Sequence, residues 1–467
     1  MTDYAVDFKY LLEPRSIAVI GASKDELKSG GMFISSMLKD NYPGRLFPIN
    51  KKESEIMGLK CYPSVADVPG EIDLAILTVP ARAINQSMRE CAKKHVKFAI
   101  VHAVGFSELG AEGKELEKEM VRIARGGGVR VIGPNCMGIF SPRAHINTLT
   151  PHVRVALDPG GFGFVGQSGW VTEVAQRVGS SRGLRFSGAI SIGNQSDLTI
   201  EDFIEYWGND PQTKVIGVYI EGLKNPRLFF NLVKRITPHK PVIALKGGSS
   251  EIGASSALSH TGSLAGNFAI FNALCKQTGV TIASSVEDII DFAIAFSSPV
   301  LPSGRDICLL IEAGGAAVAA ADACAREKLN IKPLPPEAQL RLLELLKDKV
   351  PPSSNRRNPV DVVWAPMTDG AKLFGDCLEI ILPTVDACMM LTYILYQEAM
   401  LRARLVELRD RYRKPIILVP GNPLDQILGM ELAAREGLPS YSMPENAIKS
   451  LAAMIKRTEY LKNVSAA

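Results

Sequence analysis

A few short segments of this chain carry residues whose types and spacing could do chemistry. Ser259-His260-Thr261-Gly262-Ser263 lies inside a long run of small residues, GGSSEIGASSALSHTGSLAG. An imidazole titrates near neutral pH, so its neutral form is available as a nucleophile toward phosphorus. Small residues on either side let such a loop carry the ring between two places. A carboxylate would hold the ring in one tautomer, and Glu221, in Tyr219-Ile220-Glu221-Gly222, is placed to serve. Gly166-Gln167-Ser168-Gly169 stands between an apolar run and an amphipathic one. Backbone amides at such a helix start favour an anion. Ser168 could instead be a cap or a nucleophile, although a GxSxG elbow would need glycine where Trp170 stands. In Gly133-Pro134-Asn135-Cys136-Met137-Gly138, Asn135 could present its amide to a carboxyl group or simply satisfy a structural turn. Gly21-Ala22-Ser23-Lys24 lets a phosphate approach the backbone, but it is not GxGxxG. Lys52, near the end of a strand pattern, could pair with a phosphate or be solvated. For His95, His102, His145, His152 and His239 a structural role is the simpler reading.

These segments need elements to hold them. Near-continuous apolar runs read as buried strands at Ser16–Gly21, Arg45–Asn50, Asp73–Thr78, Phe98–Val101 and Val129–Gly133. Amphipathic stretches such as Ile84–Lys94 and Gly113–Arg125 read as the helices between them. That alternation predicts a parallel sheet covered on both faces, of Rossmann-like type. A second series has strands at Gly163–Val165, Phe186–Ile192, Val215–Ile220 and Pro241–Leu245, with helices near Trp170–Ser181, Ile200–Trp207 and Leu228–Ile236. A third has strands at Asp306–Ile311, Asp386–Leu391 and Pro415–Val419. Turn-rich stretches at Asn147–Gly160 and Ser298–Gly304 punctuate the series, so we expect three consecutive α/β domains at 1–150, 151–300 and 301–467. No close internal repeat is visible.

The 467 residues suffice for about three domains. Apolar residues make up 46% and charged residues 22%, which excludes a disordered chain, a collagen and a coiled coil. A net charge of +4 over so large a surface argues against a nucleic-acid binder. No apolar run approaches the roughly 20 residues of a membrane helix, and no signal peptide is evident at the start. The eight cysteines form no CxxC pair, so a zinc or dithiol site is not expected, and the pattern suits a reducing cytoplasm.

Taken together, the motifs resemble the α subunit of nucleoside-diphosphate-forming acyl-CoA synthetases. This is the ADP-forming acetyl-CoA synthetase type, related to the succinyl-CoA synthetase α subunit. The resemblance rests on SIAVIGAS, LFPIN with Lys52, DLAILTVPA, GFSELGAEG, VIGPNCMGI, GQSG, SIGNQSDL, YIEG, SHTGSLAG, EAGGAAVAAADAC and NPVD, in the family's order. It implies an N-terminal Rossmann-like CoA-binding domain followed by two flavodoxin-like, succinyl-CoA synthetase-like domains. It also implies a stepwise reaction in which phosphate attacks an acyl-CoA thioester, giving an acyl phosphate and CoA. His260 then takes the phosphoryl group and passes it to ADP. Glu221 matches the carboxylate that orients the histidine. Gln167, Ser168 and Gly169 match the phosphate-stabilising helix start, and Asn135, Gly193 and Asn194 match positions near the acyl and phosphate groups. Gly21, Ala22, Ser23, Lys52, Val79, Pro80, Ala103 and Val104 match the CoA-contacting turns. No GxxxxGK[ST] occurs, and the resemblance implies that ADP or ATP and Mg²⁺ sit on a separate ATP-grasp β subunit, in an α2β2 assembly acting on a small carboxylic acid.

The sequence departs from the family's pattern at Trp170, where a small residue is usual. It departs again at Glu312-Ala313-Gly314-Gly315-Ala316-Ala317, at Val362-Val363-Trp364 and at Pro420-Gly421-Asn422. Those changes bear on which acid is used and on how the partner docks. The alternative function is a CoA-binding sensor or scaffold without turnover, which would need neither His260 nor Glu221. A nicotinamide oxidoreductase would need the missing GxGxxG.

Overall fold

A computed structural model describes residues 6–250, 252–253, 267–352, 354–363, 370–396 and 398–466. His260 lies outside the described residues. By internal contacts the chain forms two compact units. One comprises residues up to 180 together with 185–286, and the other comprises 181–184 and 287 onward.

The first unit holds two large sheets. One runs β2-β1-β5-β6-β7, all parallel, from β1 (Ser16–Ile20), β2 (Arg45–Ile49), β5 (Leu74–Leu77), β6 (Phe98–Val101) and β7 (Arg130–Ile132). A two-stranded ribbon, β3 (Glu55–Ile56) with β4 (Leu59–Lys60), follows β2. β1, β5 and β6 are buried along their whole length, as their unbroken apolar runs require when helices cover both faces. The second sheet runs β14-β13-β12-β10-β11-β8-β9. Its parallel part is β10 (Phe162–Gly166), β11 (Phe186–Ser191), β12 (Val215–Ile220), β13 (Val242–Lys246) and β14 (Thr281–Ala283). β8 (Gly138–Ser141) and β9 (Ile146–Asn147) extend it antiparallel beyond β11.

Residues 138–147, which the sequence places at the end of the first series, therefore pair with the second sheet. One apolar core runs from Phe8 through Ile100 and Val165 to Val280, so the two sheets share an interior. The second unit carries β16-β15-β17-β18, also parallel, from β15 (Ile307–Ile311), β16 (Val360–Asp361), β17 (Ala387–Thr392) and β18 (Ile416–Pro420). Its core is separate.

The three parallel sheets share one strand logic. After the first strand the chain adds one neighbour on one side, then crosses to the other side. Ligands in such sheets sit beyond the carboxyl ends at the crossing point. Those points lie between β1 and β5, between β10 and β12, and between β15 and β17. Local signals set the covering helices. Thr199 and Asp202 form a capping box for Ile200–Asn209, and Asn225 caps Pro226–Ile236, with proline at its first position.

The first crossing point depends on a close backbone approach. The helix Ser29–Lys39 passes so near the turn after β1 that a Cβ on Gly30 would stand 2.2 Å from the Gly21 carbonyl oxygen. That carbonyl is backbone, so no rotamer relieves the clash. Gly30→Ala is expected to cost about 1–3 kcal/mol. A thermal midpoint indistinguishable from wild type would refute that tight contact.

All eight cysteines are buried and none is paired. No helix among the described residues is long and apolar enough to cross a membrane.

Candidate active site

The second crossing point is built around Gln167, the first residue after β10. Its Oε1 accepts the backbone N–H of Glu221 and, at 3.0 Å, that of Gly222. Two donors on one atom identify it as the amide oxygen. The side chain thus ties the end of β10 to the end of β12. Ser168 caps the helix Gly169–Ser181. Its Oγ lies 3.4 Å from the Val171 N–H, and its carbonyl accepts from Thr172 N–H at 3.1 Å and Oγ–H at 2.8 Å. Its hydroxyl serves the helix start, and among the described residues its hydrogen-bond partners include no base.

Glu221 is 7% exposed. Burial, and then the Glu221 charge, push the Tyr219 phenol up to about 12. Lys246, at the end of β13, places Nζ 2.8 Å from the Glu221 carbonyl oxygen and 2.5 Å from that of Gly247. Burial lowers this ammonium from its ordinary value, and the Glu221 charge opposes the shift. Lys246 therefore fixes the backbone beneath the carboxylate.

The end of the first sheet meets this point through two interlocked turns. Residues 194–198 run along the outer edge of β7. Asn194 N–H donates to Pro134 O at 3.0 Å, Ser196 N–H to Gly133 O at 3.2 Å, and Leu198 N–H to Val131 O at 3.2 Å. Asp197 returns the pairing by accepting the Val131 N–H at 2.8 Å, while Arg125 and Arg130 neutralise it. Gly193 has φ +54°, and a Cβ there would stand 2.1 Å from Pro134 O and 2.4 Å from Asn135 O. Asn194 Nδ2 donates to Ser107 Oγ at 3.1 Å, Glu108 Oε2 at 2.8 Å and Glu117 Oε2 at 3.0 Å. Burial alone would raise the Glu108 carboxyl, but hydrogen bonds from Asn194 and from the Gly105 and Phe106 amides outweigh it and leave it below its ordinary value. Asn135 N–H donates to Ala103 O at 2.9 Å, and its Nδ2 lies 3.4 Å from Asn194 Oδ1.

A cavity of about 290 Å³ opens among these turns. Of the residues expected from sequence, Asn135, Gln167, Ser168, Gly169, Gly193, Asn194, Glu221 and Val104 line it. Cys136, Met137, Trp170 and His102 complete the wall. Trp170 is 64% exposed. Burial pushes the Cys136 thiol up to about 12, so it stays an inert thiol.

The other expected residues, Gly21, Ala22, Ser23, Lys52, Val79, Pro80 and Ala103, stand at or just past the carboxyl ends of β1, β2, β5 and β6. The N–H groups of Gly21 and Ala22 both donate to Ile49 O, at 3.1 and 3.2 Å. They are used inside the protein, so this turn offers a ligand close backbone approach rather than those two donors. Asn50 braces the turn from Nδ2 to Ala22 O at 2.8 Å, Lys24 is paired with Glu53, and Lys52 is exposed.

His102, read from the sequence as structural, also stands in the cavity wall. Its place directly after β6, at the carboxyl edge of a parallel sheet, was the signal. Glu108, Glu117 and Lys246 were also missed. Nothing in a helix-start glutamate or a strand-end lysine marks it as a brace before the turns are folded.

Residues 15–142 match the CoA binding domain family, and residues 159–296 match the succinyl-CoA ligase like flavodoxin domain. Over 461 residues the chain is 35% identical to the acetate–CoA ligase [ADP-forming] II subunit alpha of Pyrococcus furiosus, covering 96% of this chain and 98% of that relative. The chain belongs to the α-subunit family of ADP-forming acyl-CoA ligases. The chain is also 34% identical to the acetate–CoA ligase [ADP-forming] of Methanocaldococcus jannaschii, over 98% of its own length and 66% of that longer chain. Among solved structures, it superimposes with a TM-score of 0.84 on the dinucleotide forming acetyl-coenzyme A synthetase 1 of Ca. Korarchaeum cryptofilum in complex with phosphate and ADP. That pair is 32% identical, with 99% of each chain covered.

Proposed function

We propose that this α subunit performs the acyl and phosphoryl transfers of an ADP-forming acyl-CoA synthetase, interconverting acyl-CoA, ADP and phosphate with a carboxylic acid, CoA and ATP. The observation that carries this reading is the convergence of the Gly169 helix start, Glu221, Asn135 and Asn194 on one cavity.

Phosphate sits at the N-terminus of Gly169–Ser181, where aligned amides offset its charge. A phosphate oxygen attacks the thioester carbonyl, the C–S bond breaks, and CoA leaves with an acyl phosphate behind. Asn135 orients the acyl carbonyl, held in place by Asn194 and its carboxylate braces. His260 then attacks phosphorus, the P–O bond breaks, and the carboxylate departs. Glu221 accepts the imidazole N–H, leaves the other nitrogen free, and stabilises the charge that develops. The small-residue loop delivers the phosphoryl group to ADP.

CoA lies against Gly21, Ala22, Ser23, Lys52, Val79, Pro80, Ala103 and Val104. The crowding of Gly21 against Thr78 fits a ligand that needs the backbone itself, since a Cβ on Gly21 would stand 2.7 Å from Thr78 Oγ1. The nucleotide belongs to an ATP-grasp β subunit in an α2β2 assembly, and Mg²⁺ there would neutralise phosphate charge.

Intact-mass analysis of the chain with its co-purified partner, ATP and Mg²⁺ tests the reading. An acid-labile gain of about 80 Da, one phosphoryl group, is expected, and none with His260→Ala. No label on a competent complex would favour the CoA-binding scaffold instead.

A further inference from the structure

His102 stands between the turn assigned to CoA and the turn assigned to the acyl group. Its Nδ1 lies 2.8 Å from the carbonyl oxygen of Cys136. A carbonyl only accepts, so Nδ1 carries the proton and Nε2 the lone pair. The neighbour of Nε2 is Ser29 Oγ at 3.2 Å, on the first residue of the helix that follows the Gly21 turn. A hydroxyl donates to that lone pair and can turn away from it. Phe33 meets the ring edge-on at 5.3 Å and 88° and fixes its plane. Burial lowers the imidazole from its ordinary value, which keeps it neutral at pH 7. A thiol that titrates at about 8.5 is mostly protonated at that pH. Making a thioester therefore requires a place for its proton.

We propose that His102 Nε2 accepts the CoA thiol proton as sulfur attacks the acyl phosphate, and returns it when phosphate attacks the thioester. The step rests on the acyl-phosphate reading above. The S–H bond breaks toward Nε2, and a C–S bond forms at the acyl carbon. The C–O bond to phosphate breaks with its electron pair on the phosphate oxygen, which takes the proton from Nε2. Atoms and charge balance with no further reactant. Cys136 does not compete, because its buried thiol holds its own proton.

His260 can be labelled by two routes, from ATP through the partner and from acyl-CoA with phosphate through the cavity. Only the second uses the thiol proton. Intact-mass time courses on the full complex separate them for His102→Gln and His102→Ala. The probes are ATP and, with inorganic phosphate, whichever of acetyl-CoA, isobutyryl-CoA and phenylacetyl-CoA the wild type uses fastest. Labelling from ATP is expected to stay within about twofold, while labelling from acyl-CoA falls by about 100-fold or more. Added imidazole is expected to restore part of the rate in His102→Ala, with CoA affinity by calorimetry unchanged in both variants. Equal slowing of both routes, an acyl-CoA rate close to wild type, or a loss that follows weakened CoA binding and ignores imidazole would each overturn the assignment. A wild-type complex that labels by neither route sinks the phosphohistidine reading and this step with it. Labelling from ATP alone sinks the acyl-phosphate step and the role of His102 with it, and leaves the phosphohistidine standing.

Discussion

Glu221→Gln is expected to slow phosphorylation of His260 by on the order of 10³-fold while leaving the fold intact. The substitution keeps length and removes charge. A glutamine offers the imidazole either an uncharged oxygen or an NH₂ donor, and the latter selects the wrong tautomer. The backbone of residue 221 stays in place, because Gln167 and Lys246 hold it there, while the carboxylate's hydrogen bond with the Tyr219 phenol passes to an amide. The thermal midpoint should therefore move little. A second readout is independent of turnover. The Glu221 charge adds to burial in holding Tyr219 at about 12, so the variant's phenol should titrate lower in an ultraviolet pH titration. Phosphorylation within threefold of wild type would remove Glu221 from the mechanism.

Gly193→Ala is expected to damage both stability and activity. The new Cβ would meet two backbone oxygens, Pro134 O at 2.1 Å and Asn135 O at 2.4 Å, at a φ of +54°. Neither neighbour can rotate away. Left-handed backbone and overpacking together cost about 2–5 kcal/mol. Relief requires the turns to separate, and a misplacement of about 1 Å in a reacting group costs about 100-fold. Calorimetry and steady-state kinetics check both effects. Wild-type values in each would mean that the turns are not packed as described.

What the sequence made legible follows from where the physics is local. The apolar runs of β1, β6, β10 and β12 announce buried parallel strands because runs of four to six residues between turns are too short for a core helix. Gln167 and Ser168 are legible because a helix start is a local event. β8 and β9 are not, since Gly138–Ser141 has no period of its own and becomes a strand only by meeting β11. The strand end marks where His102 stands, but nothing local marks what it touches. Its environment is made by Ser29 and Cys136, 73 and 34 residues away. The functional reading of His260 came from its neighbours in sequence, and it lies outside the described residues.

The lacing of residues 194–198 along β7 has a consequence for how this protein can be recombined. The two matched families suggest a modular chain that could exchange its first half at about residue 150. A graft joined there would bring in foreign copies of β8 and β9 for the second sheet, along with a foreign β7 whose edge must fit Ser196 and Asp197. Moving the join upstream cuts into residues 133–137, which hold the Asn135 turn. No splice site leaves both halves whole. Shuffling libraries should return active chimeras only where the 131–147 and 193–198 segments come from the same parent, so the two halves are inherited as one piece.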